Sequence, residues 1–241
     1  MNRLLRDGVG EKMSTFDWHK EVEKQWDNRA DFWNQNSANM WEEGSRSTII
    51  PFLKEFIQAG TKILDAGCGD GYGSYKLDKE GFSVIGADLS REMIDKAKNR
   101  KGAAHVQFVQ ADLTDLPFDK DSFPAVMAIN SIEWTAQPLT ALNEIKRIMK
   151  PNGIFCVGLL GPTAGPRQSA YRRLYGEEVI CNTMMPWEFQ QLALENGWEV
   201  IGGQGVYKSA IDQTKLGQLP LELKQALSFM WLFILKKRDD E

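Results

Sequence analysis

Short apolar runs alternate with amphipathic stretches along most of this chain, and this alternation predicts strands separated by helices. The apolar runs of strand length cover residues 62–66, 83–87, 106–110, 125–129 and 154–160. Helical stretches are predicted between several of them, at residues 72–80, 91–98 and 139–150. Strand, helix, strand repetition is typical of parallel strands joined by right-handed crossovers. The pattern therefore predicts an α/β fold with helices on both faces of one sheet.

The boundaries of these helices are marked by residues that start or stop a helix. Ser90 precedes residues 91–98 as an N-cap, because its hydroxyl can accept a hydrogen bond from a backbone N–H of the first turn. A further helix is predicted from Ser47 to Ala59, where Gly60 ends it. The stretch 139–150 is closed by Pro-Asn-Gly, and its apolar face comprises Leu139, Leu142, Ile145 and Met149.

The end of the chain departs from this repetition. After a helix at about 187–195 comes a strand, WEVIGG, and then a polar segment and a last strand within SFMWLFILKK. Before this last strand there is only the short helix PLELKQAL rather than a long helical crossover. Parallel neighbours need such a crossover, so we expect the last strand to be antiparallel.

Aromatic residues are concentrated near the N-terminus. Val22, Trp26, Ala30 and Trp33 follow one another at the spacing of a single helical face, which must be buried against another part of the protein. We therefore expect residues 1–44 to form an N-terminal tail and an aromatic helical cap. Residues 45–241 would form the main domain, in which an insert at about 161–186 covers the ligand cleft.

Composition limits the possible partners. A net charge of −4 provides no strong positive field, so nucleic acid is not an expected partner. Three widely spaced cysteines suit a reducing compartment, and no CxxC pair or histidine cluster predicts a metal site. The longest apolar run is too short to span a bilayer, and the N-terminus lacks the apolar core of a signal peptide. We expect a cytoplasmic protein without stable membrane insertion.

Chemically distinctive residues follow four of the predicted strands. In open α/β sheets ligands bind beyond the carboxyl ends of the strands, so these residues are expected to meet at one site. They are Asp65, Gly67, Cys68 and Gly69 at the first strand, Asp88 at the second, Asp112 at the third and Asn130 at the fourth.

The glycine-rich loop after the first strand restricts the class of ligand. A dinucleotide fingerprint, G-x-G-x-x-G, requires a third glycine where the helix packs on the strand. Counting from Gly67 and Gly69, that position is Tyr72, which argues against a nicotinamide-dependent oxidoreductase. The loop instead leaves its backbone open to a ligand that lies against it. A tight strand-to-helix turn with no ligand is the alternative reading.

Two aspartates suggest that the ligand is a nucleoside. Asp88 can accept hydrogen bonds from both ribose hydroxyls, although an aspartate here can also serve as an N-cap or turn residue. Asp112 can accept from an exocyclic amine while Leu113 covers a purine face. The surrounding LTDLPFDKDSF is rich in turn-forming residues, so a simple turn remains an equal alternative.

These residues together resemble a known family. The segments ILDAGCGDGYGS, GADLS, QADLTDLPF and AVMAINSIEWTAQPLTALNEIKRIMKPNGIF are similar to the class I S-adenosylmethionine-dependent methyltransferases. The likeness covers about residues 45–160 and points to the small-molecule branch that includes ubiquinone and menaquinone biosynthesis enzymes. It implies a Rossmann-like, mostly parallel seven-stranded sheet with an antiparallel last strand. It also implies S-adenosylmethionine as the cofactor and a small molecule as the methyl acceptor.

The resemblance also implies roles for individual residues. The backbone of Gly67, Cys68 and Gly69 would line the methionine part of the cofactor, and Asp88 would hold the ribose hydroxyls. The remaining residues would surround the adenine and the sulfonium: Leu89 and Met93 near the adenine, Asp112 at its amine with Leu113 beside it, and Asn130 under the sulfonium.

Arg46 is a separate prediction that rests on geometry. It precedes the helix that runs antiparallel into the first strand, so it is expected at the ligand end of the sheet. There its guanidinium can pair with the methionine carboxylate. An arginine on the protein surface is the alternative.

Methyl transfer requires little side-chain chemistry, because holding acceptor and methyl in line supplies much of the rate. Glu133 is the nearest candidate for a general base, although the family often has a histidine near this point. The aromatic N-terminal helix and the insert suggest an aromatic or apolar acceptor with some negative charge. A non-catalytic module that binds S-adenosylmethionine is the main alternative. The insert residues that carry this expectation are Tyr171, Arg172, Arg173, Tyr175, Met184 and Met185.

Overall fold

One seven-stranded sheet lies at the centre of the computed structural model, which describes residues 16–238 except for the side chains of residues 168 and 169. The strands are Lys62–Ala66 (β1), Ser83–Asp88 (β2), Gln107–Gln110 (β3), Phe123–Ile129 (β4), Met149–Leu160 (β5), Trp198–Val206 (β6) and Met230–Lys237 (β7). Their order across the sheet is β3-β2-β1-β4-β5-β7-β6. The last strand, β7, is antiparallel to both of its neighbours, while β1 to β5 pair in parallel. This topology confirms the expected fold and the antiparallel last strand.

Helices connect the strands and cover both faces of the sheet. They are Trp18–Glu42 (α1), Ile49–Leu53 (α2), Tyr72–Lys79 (α3), Arg91–Lys98 (α4), Pro138–Ile148 (α5), Gly165–Ser169 (α6), Pro186–Glu195 (α7), Gln213–Leu216 (α8) and Leu221–Leu227 (α9), with 3-10 turns at Ile132–Trp134 and Ala170–Tyr175. Between residues 16 and 238, no helix combines the length and the apolar composition needed to cross a membrane.

The strand register brings the predicted ligand-binding residues to one edge. In β1, Asp65 pairs with Gly86 of β2 and with Met127 of β4. All of these strands run in the same direction, so their carboxyl ends lie side by side. Polar residues that follow each strand are therefore neighbours in space even though they are distant along the chain.

The helix predicted at 139–150 ends earlier than expected. Helix α5 stops at Ile148, and Met149 already pairs with Phe123 as the first residue of β5. The pairing then shifts to Ala125 and Ile154, so the intervening Pro-Asn-Gly forms an irregularity inside the strand rather than a loop.

The buried face of α5 also differs from the prediction. Leu139, expected on that face, is 37% exposed, while Ile148 is completely buried beside Leu142 and Ile145. The helix begins with Pro138, so Leu139 lies in its first turn at the edge of the contact with the sheet.

The helix predicted at 47–59 is also shorter than expected. Helix α2 covers only Ile49–Leu53, and hydrogen-bonded turns continue the chain to Ile57. Gly60 has a φ of 85°, a left-handed conformation that suits glycine and ends the segment as predicted.

The N-terminal helix packs against the carboxyl edge of the sheet. Trp18 Nε1 donates a 2.7 Å hydrogen bond to the carbonyl of Trp134, and Lys96 of α4 pairs with Asp31. Val22 is buried beside Trp134 in this contact, and Trp41 is buried against Gly73 of α3. Helix α1 thus covers the edge where the predicted ligand residues meet. Residues 1–15 of the expected N-terminal segment lie outside the described residues.

Candidate functional site

A cavity of about 240 Å³ opens at the carboxyl edge of the sheet. It lies between the ends of the parallel strands and helix α1. Every cofactor-binding residue predicted from the sequence lines its wall, while the roles of these residues toward a ligand remain predictions. The eleven residues are Arg46, Asp65, Gly67, Cys68, Gly69, Asp88, Leu89, Met93, Asp112, Leu113 and Asn130.

The loop after β1 takes a shape that requires glycine at two of these positions. Gly67 has a φ of 79° and Gly69 a φ of 54°, both in the left-handed region. A Cβ on Gly67 would overlap the side chain of Ser131, whereas one on Gly69 would meet only the sulfur of Met93, at 4.0 Å. The loop is therefore closely packed on the Ser131 side and open beside Gly69.

Asp88 is held rigidly at the end of β2. Its two carboxylate oxygens accept hydrogen bonds from the backbone N–H groups of Gly69, at 2.8 Å, and Ser90, at 2.9 Å. The Ser90 hydroxyl, and not Asp88, caps α4 by accepting from Met93 N. Burial raises the pKa of Asp88 from 3.8 to about 6, against the opposing effect of the two backbone hydrogen bonds. Each oxygen keeps a lone pair for a ligand hydroxyl.

Two further carboxylates, one in β1 and one in the glycine loop, are buried beside the cavity. Asp65 is 3% exposed and accepts a 2.6 Å hydrogen bond from the hydroxyl of Ser74. Burial raises its pKa from 3.8 to about 7, and the nearby carboxylate of Asp88 adds to the effect. Asp70 pairs with Arg100 and accepts from the hydroxyl of Ser37 on α1. The site is therefore rich in carboxylates, and burial makes the ionised form of Asp65 and Asp88 unfavourable.

Arg46 supplies a positive charge to this acidic site. Its guanidinium carbon lies 5.0 Å from the ring centre of Trp33 and 5.7 Å from that of Trp41. Burial lowers its pKa, although attraction to Asp70 and Asp65 opposes this. Within residues 16–238 its side chain forms no hydrogen bond or ion pair at bonding distance. A half-buried cation with its donors free suits an anionic group of a ligand.

Asp112 combines the two roles that the sequence left open. Its Oδ1 accepts from both the backbone N–H and the hydroxyl of Thr114, each at 2.8 Å, which is the pattern of a turn. Its Oδ2 lies 2.7 Å from Nδ1 of His19 on α1. Asp112 also lines the cavity. Nothing in the local sequence indicates His19, because the two residues meet only through the docking of α1.

Asn130 follows β4 with a φ of 53°, a conformation that asparagine tolerates. Its Nδ2 donates weakly to Glu133 Oε1, at 3.4 Å, and to the carbonyl of Gly158, at 3.5 Å. Both partners accept hydrogen bonds, so this end of the side chain must be the amino group. The carbonyl oxygen of Asn130 is left for the cavity side.

Glu133 lies behind the cavity wall and does not line it. It is 3% exposed, and its Oε1 accepts a 3.0 Å hydrogen bond from Leu160 N at the end of β5. Burial raises its pKa, and no residue of the described chain hydrogen-bonds its Oε2. In this position Glu133 joins the ends of β4 and β5, and its role as a base stays a prediction.

Tryptophans form the aromatic part of the wall. Trp26 and Trp134 meet edge to face with their ring centres 5.0 Å apart, and Trp33 lies 5.9 Å from Trp26. Apolar side chains continue this surface: Val22, Leu160, Pro166 and Phe229.

The insert contributes less to the wall than expected. Tyr171 and Tyr175 are 49% and 73% exposed, and neither lines the cavity. Arg172 stacks near both rings and pairs with Glu177. Arg173, Met184 and Met185 are also absent from the wall. The short 3-10 turn thus carries both tyrosines away from the wall, whereas Pro166 of the same insert lines the cavity. That the insert covers the cleft and selects the acceptor stays a prediction.

The cavity does not favour a nucleophilic cysteine or a metal site. Burial, reinforced by nearby carboxylates, raises the pKa of Cys68 well above its usual value, so its thiol stays protonated and unreactive. In the described part of the chain no three histidine, cysteine or acidic side chains cluster closely enough to hold a metal ion.

The chain matches known proteins in the region that contains the strand-end residues of this site. Residues 64–157 match the family model described as a methyltransferase domain. A demethylmenaquinone methyltransferase of Clavibacter sepedonicus is 33% identical over 154 residues, which cover 64% of this chain and 59% of the relative. A 27-O-demethylrifamycin SV methyltransferase of Amycolatopsis mediterranei is 28% identical over 182 residues, covering 70% and 65%. The matched region thus spans less than two thirds of each of these relatives.

The fold has a wider match among solved structures. One is a chain in the complex between the Haloferax volcanii Trm112 methyltransferase activator and a methyltransferase. It superposes with a TM-score of 0.70 at 20% identity, over 91% of this chain and 99% of that chain. The likeness therefore extends beyond residues 64–157 to the α/β architecture as a whole.

Proposed function

We propose that this chain, which belongs to the class I S-adenosylmethionine-dependent methyltransferases, is an enzyme that methylates a small apolar or aromatic molecule. One observation carries the proposal: residues predicted from four separate strand ends, together with Arg46, all line a single cavity. S-Adenosylmethionine is the cofactor of this family. The cofactor roles assigned to individual residues are part of the proposal.

The residues of the cavity fit the chemical groups of this cofactor. Arg46, whose guanidinium forms no hydrogen bond within residues 16–238, would hold the methionine carboxylate, and the open backbone at Gly69 would lie along the methionine chain. The fixed carboxylate of Asp88 would accept from both ribose hydroxyls. Asp112 and Leu113 would meet the adenine. These four pairings support S-adenosylmethionine as the ligand of the cavity.

The bound cofactor would supply an electrophilic methyl group on a sulfonium. The protein's contribution is to hold the acceptor in line with that methyl and to keep water away. Val22, Trp26 and Trp134 form the apolar surface that excludes water. The carbonyl oxygen of Asn130 can accept a hydrogen bond from the acceptor and orient it. Because Glu133 lies behind the wall, we assign it to supporting Asn130 rather than to removing a proton.

The kind of methyl acceptor is inferred from the cavity residues that are not assigned to the cofactor. Edge-to-face tryptophans and aliphatic side chains favour a planar or apolar molecule. A net charge of −4 does not favour nucleic acid as the substrate.

The cysteines Cys68, Cys156 and Cys181 are unpaired, which supports a reducing, cytoplasmic location for this reaction.

Calorimetry with S-adenosylhomocysteine tests the cofactor site. We expect micromolar-range binding by the wild type and at least about tenfold weaker binding by Asp88→Ala, since two ribose hydrogen bonds to a charged group are lost. Asp88→Asn is the second variant, because an amide keeps the volume but cannot accept at both atoms. Asp95→Asn, an exposed change on α4, is the control and should bind like the wild type. Absence of binding by the wild type would overturn the proposal.

The pH dependence of the same titration gives a further check. Asp88 has a pKa of about 6, so it is ionised above that pH and neutral below it. Ribose hydroxyls donate better to the ionised form. We therefore expect affinity to fall as the pH drops through about 6.

Turnover distinguishes an enzyme from a binding module. Formation of S-adenosylhomocysteine from S-adenosylmethionine would be measured with hydroxylated aromatic compounds and with charged aliphatic compounds of similar size. The proposal expects turnover with members of the aromatic set. Tight cofactor binding without turnover in either set would favour the non-catalytic alternative. Saturable enhancement of NADH fluorescence would favour an oxidoreductase instead.

A further inference from the structure

The carboxylate of Asp112 is fixed by donors from two different parts of the chain. Thr114, two residues along, donates to Oδ1 through its backbone and its hydroxyl. His19, on helix α1, places Nδ1 2.7 Å from Oδ2. A carboxylate only accepts hydrogen bonds, so Nδ1 of His19 must carry the hydrogen. Thr114 is local, but His19 can hold Asp112 only while α1 is docked.

A second contact ties α1 to the same end of the sheet. Gln110, the last residue of β3, donates to Glu23 of α1 at 3.1 Å and to the carbonyl of Leu89 at 3.0 Å. Leu89 and Leu113 both line the cavity on this side. The first two turns of α1 therefore form one wall of the region proposed for the adenine.

We propose that His19 is a positioning residue for nucleobase recognition. It holds Oδ2 of Asp112 so that the carboxylate accepts the exocyclic amine of the cofactor, and it thereby links cofactor binding to the docking of α1. This inference rests on the proposed cofactor site. It adds a determinant of specificity that comes from outside the strand-end residues.

The geometry explains how His19 can both position Asp112 for the nucleobase and link cofactor binding to the docking of α1. His19 is 48% exposed at its side chain, so the fold does not depend on its burial. Without it, Asp112 keeps only the two donors from Thr114, both on Oδ1, and Oδ2 becomes free to rotate toward water. Linkage is reciprocal: if docked α1 favours the cofactor, the bound cofactor must favour docked α1.

Binding of two ligands by three proteins tests the first effect. The ligands are S-adenosylhomocysteine and S-inosylhomocysteine, in which a carbonyl oxygen replaces the exocyclic amine. We expect His19→Ala to weaken S-adenosylhomocysteine binding about fivefold and to reduce the preference over the inosine compound by a similar factor. His19→Asn, whose amide can donate from nearly the position of Nδ1, should restore most of both.

A matched control separates this effect from a general loosening of α1. Asp31→Asn removes the pairing of α1 with Lys96 of α4, which lies outside the cavity. It should leave the preference for adenine unchanged. In a double-mutant cycle, the effects of His19→Ala and Asp112→Ala should not add, because His19 acts through Asp112.

Hydrogen exchange tests the second effect. S-Adenosylhomocysteine should slow amide exchange along residues 18–42 in the wild type, and much less in His19→Ala. If the wild type binds but His19→Ala keeps both the affinity and the preference for adenine, the role of His19 is refuted while the proposed function stands. If the wild type does not bind S-adenosylhomocysteine at all, both fail.

Discussion

Asp65 gives the most direct test of the electrostatics of this site. It is buried in β1 beside the cavity, and its pKa is raised from 3.8 to about 7. At about 1.4 kcal/mol per pH unit, keeping this carboxylate ionised costs the folded protein about 4 kcal/mol above pH 7. Asp65→Asn removes the charge and keeps an oxygen that can accept from Ser74. The buried amide has its own desolvation cost, so we expect a net gain of about 1–3 kcal/mol in the free energy of unfolding.

The gain should depend on pH in a defined direction. Between pH 3.8 and about 7 the folded protein keeps a proton on Asp65 that the unfolded chain has lost. The contribution of this residue to stability therefore falls as the pH rises through that window. Because the desolvation cost of the amide does not depend on pH, Asp65→Asn should be less stable than the wild type by about 1–3 kcal/mol at about pH 4. The difference should then rise by about 4 kcal/mol and reach its full value at about pH 8.

Urea denaturation of the ligand-free proteins at several pH values measures this difference. Asp95→Asn, an exposed carboxylate change on α4, serves as the control and should show no such pH-dependent gain. The difference is more informative than the wild-type profile, because many other carboxylates also titrate. A variant that is less stable than the wild type at about pH 8, or a difference that does not change with pH, would refute the reasoning. Asp65→Asn should also change the affinity for S-adenosylhomocysteine, since Asp65 lines the cavity.

Three further substitutions test the supports of the site. Gly67→Ala forces a side chain into a left-handed position against Ser131 and should cost about 2–4 kcal/mol in urea denaturation; a stable variant that binds S-adenosylhomocysteine normally would contradict this. Ser90→Ala removes the cap on Met93 N and the hydrogen bond to Asp27, and it should lower stability by about 1–2 kcal/mol, whereas Ser90→Thr, which keeps the hydroxyl, should retain most of it. Arg46→Leu should weaken S-adenosylhomocysteine binding about tenfold in calorimetry through loss of the carboxylate partner, and unchanged affinity would remove Arg46 from the proposed site.

The sequence predicted those parts of the site that follow from local patterns. Asp65, Asp88 and Asn130 each lie within one residue of the end of a recognisable strand, and parallel strands must place their carboxyl ends together. The Ser90 cap was also readable from the sequence, because an N-cap depends only on the residues of the first turn. These predictions needed no knowledge of how the helices pack.

Predictions that depended on packing were less successful. The way α5 packs on the sheet exposes Leu139 and buries Ile148, and the periodicity of the sequence alone does not predict this difference. The sequence of the insert also does not say which of its side chains reach the cavity: Pro166 lines the wall, while Tyr171 and Tyr175 are exposed to solvent. Apolar and aromatic side chains fit several faces, so only the assembled fold decides which face is used.

The sequence by itself determined the order of strands and helices, the glycine loop and the acidic residues at the strand ends, because each is encoded by neighbouring residues. The tertiary structure alone decided how α1 closes the site. His19 contacts Asp112, and Trp18 contacts Trp134, although both pairs are far apart along the chain, and the neighbouring sequence predicts neither contact. Such contacts depend on the sum of many packing interactions along a helix, which is why they became visible only in the folded protein.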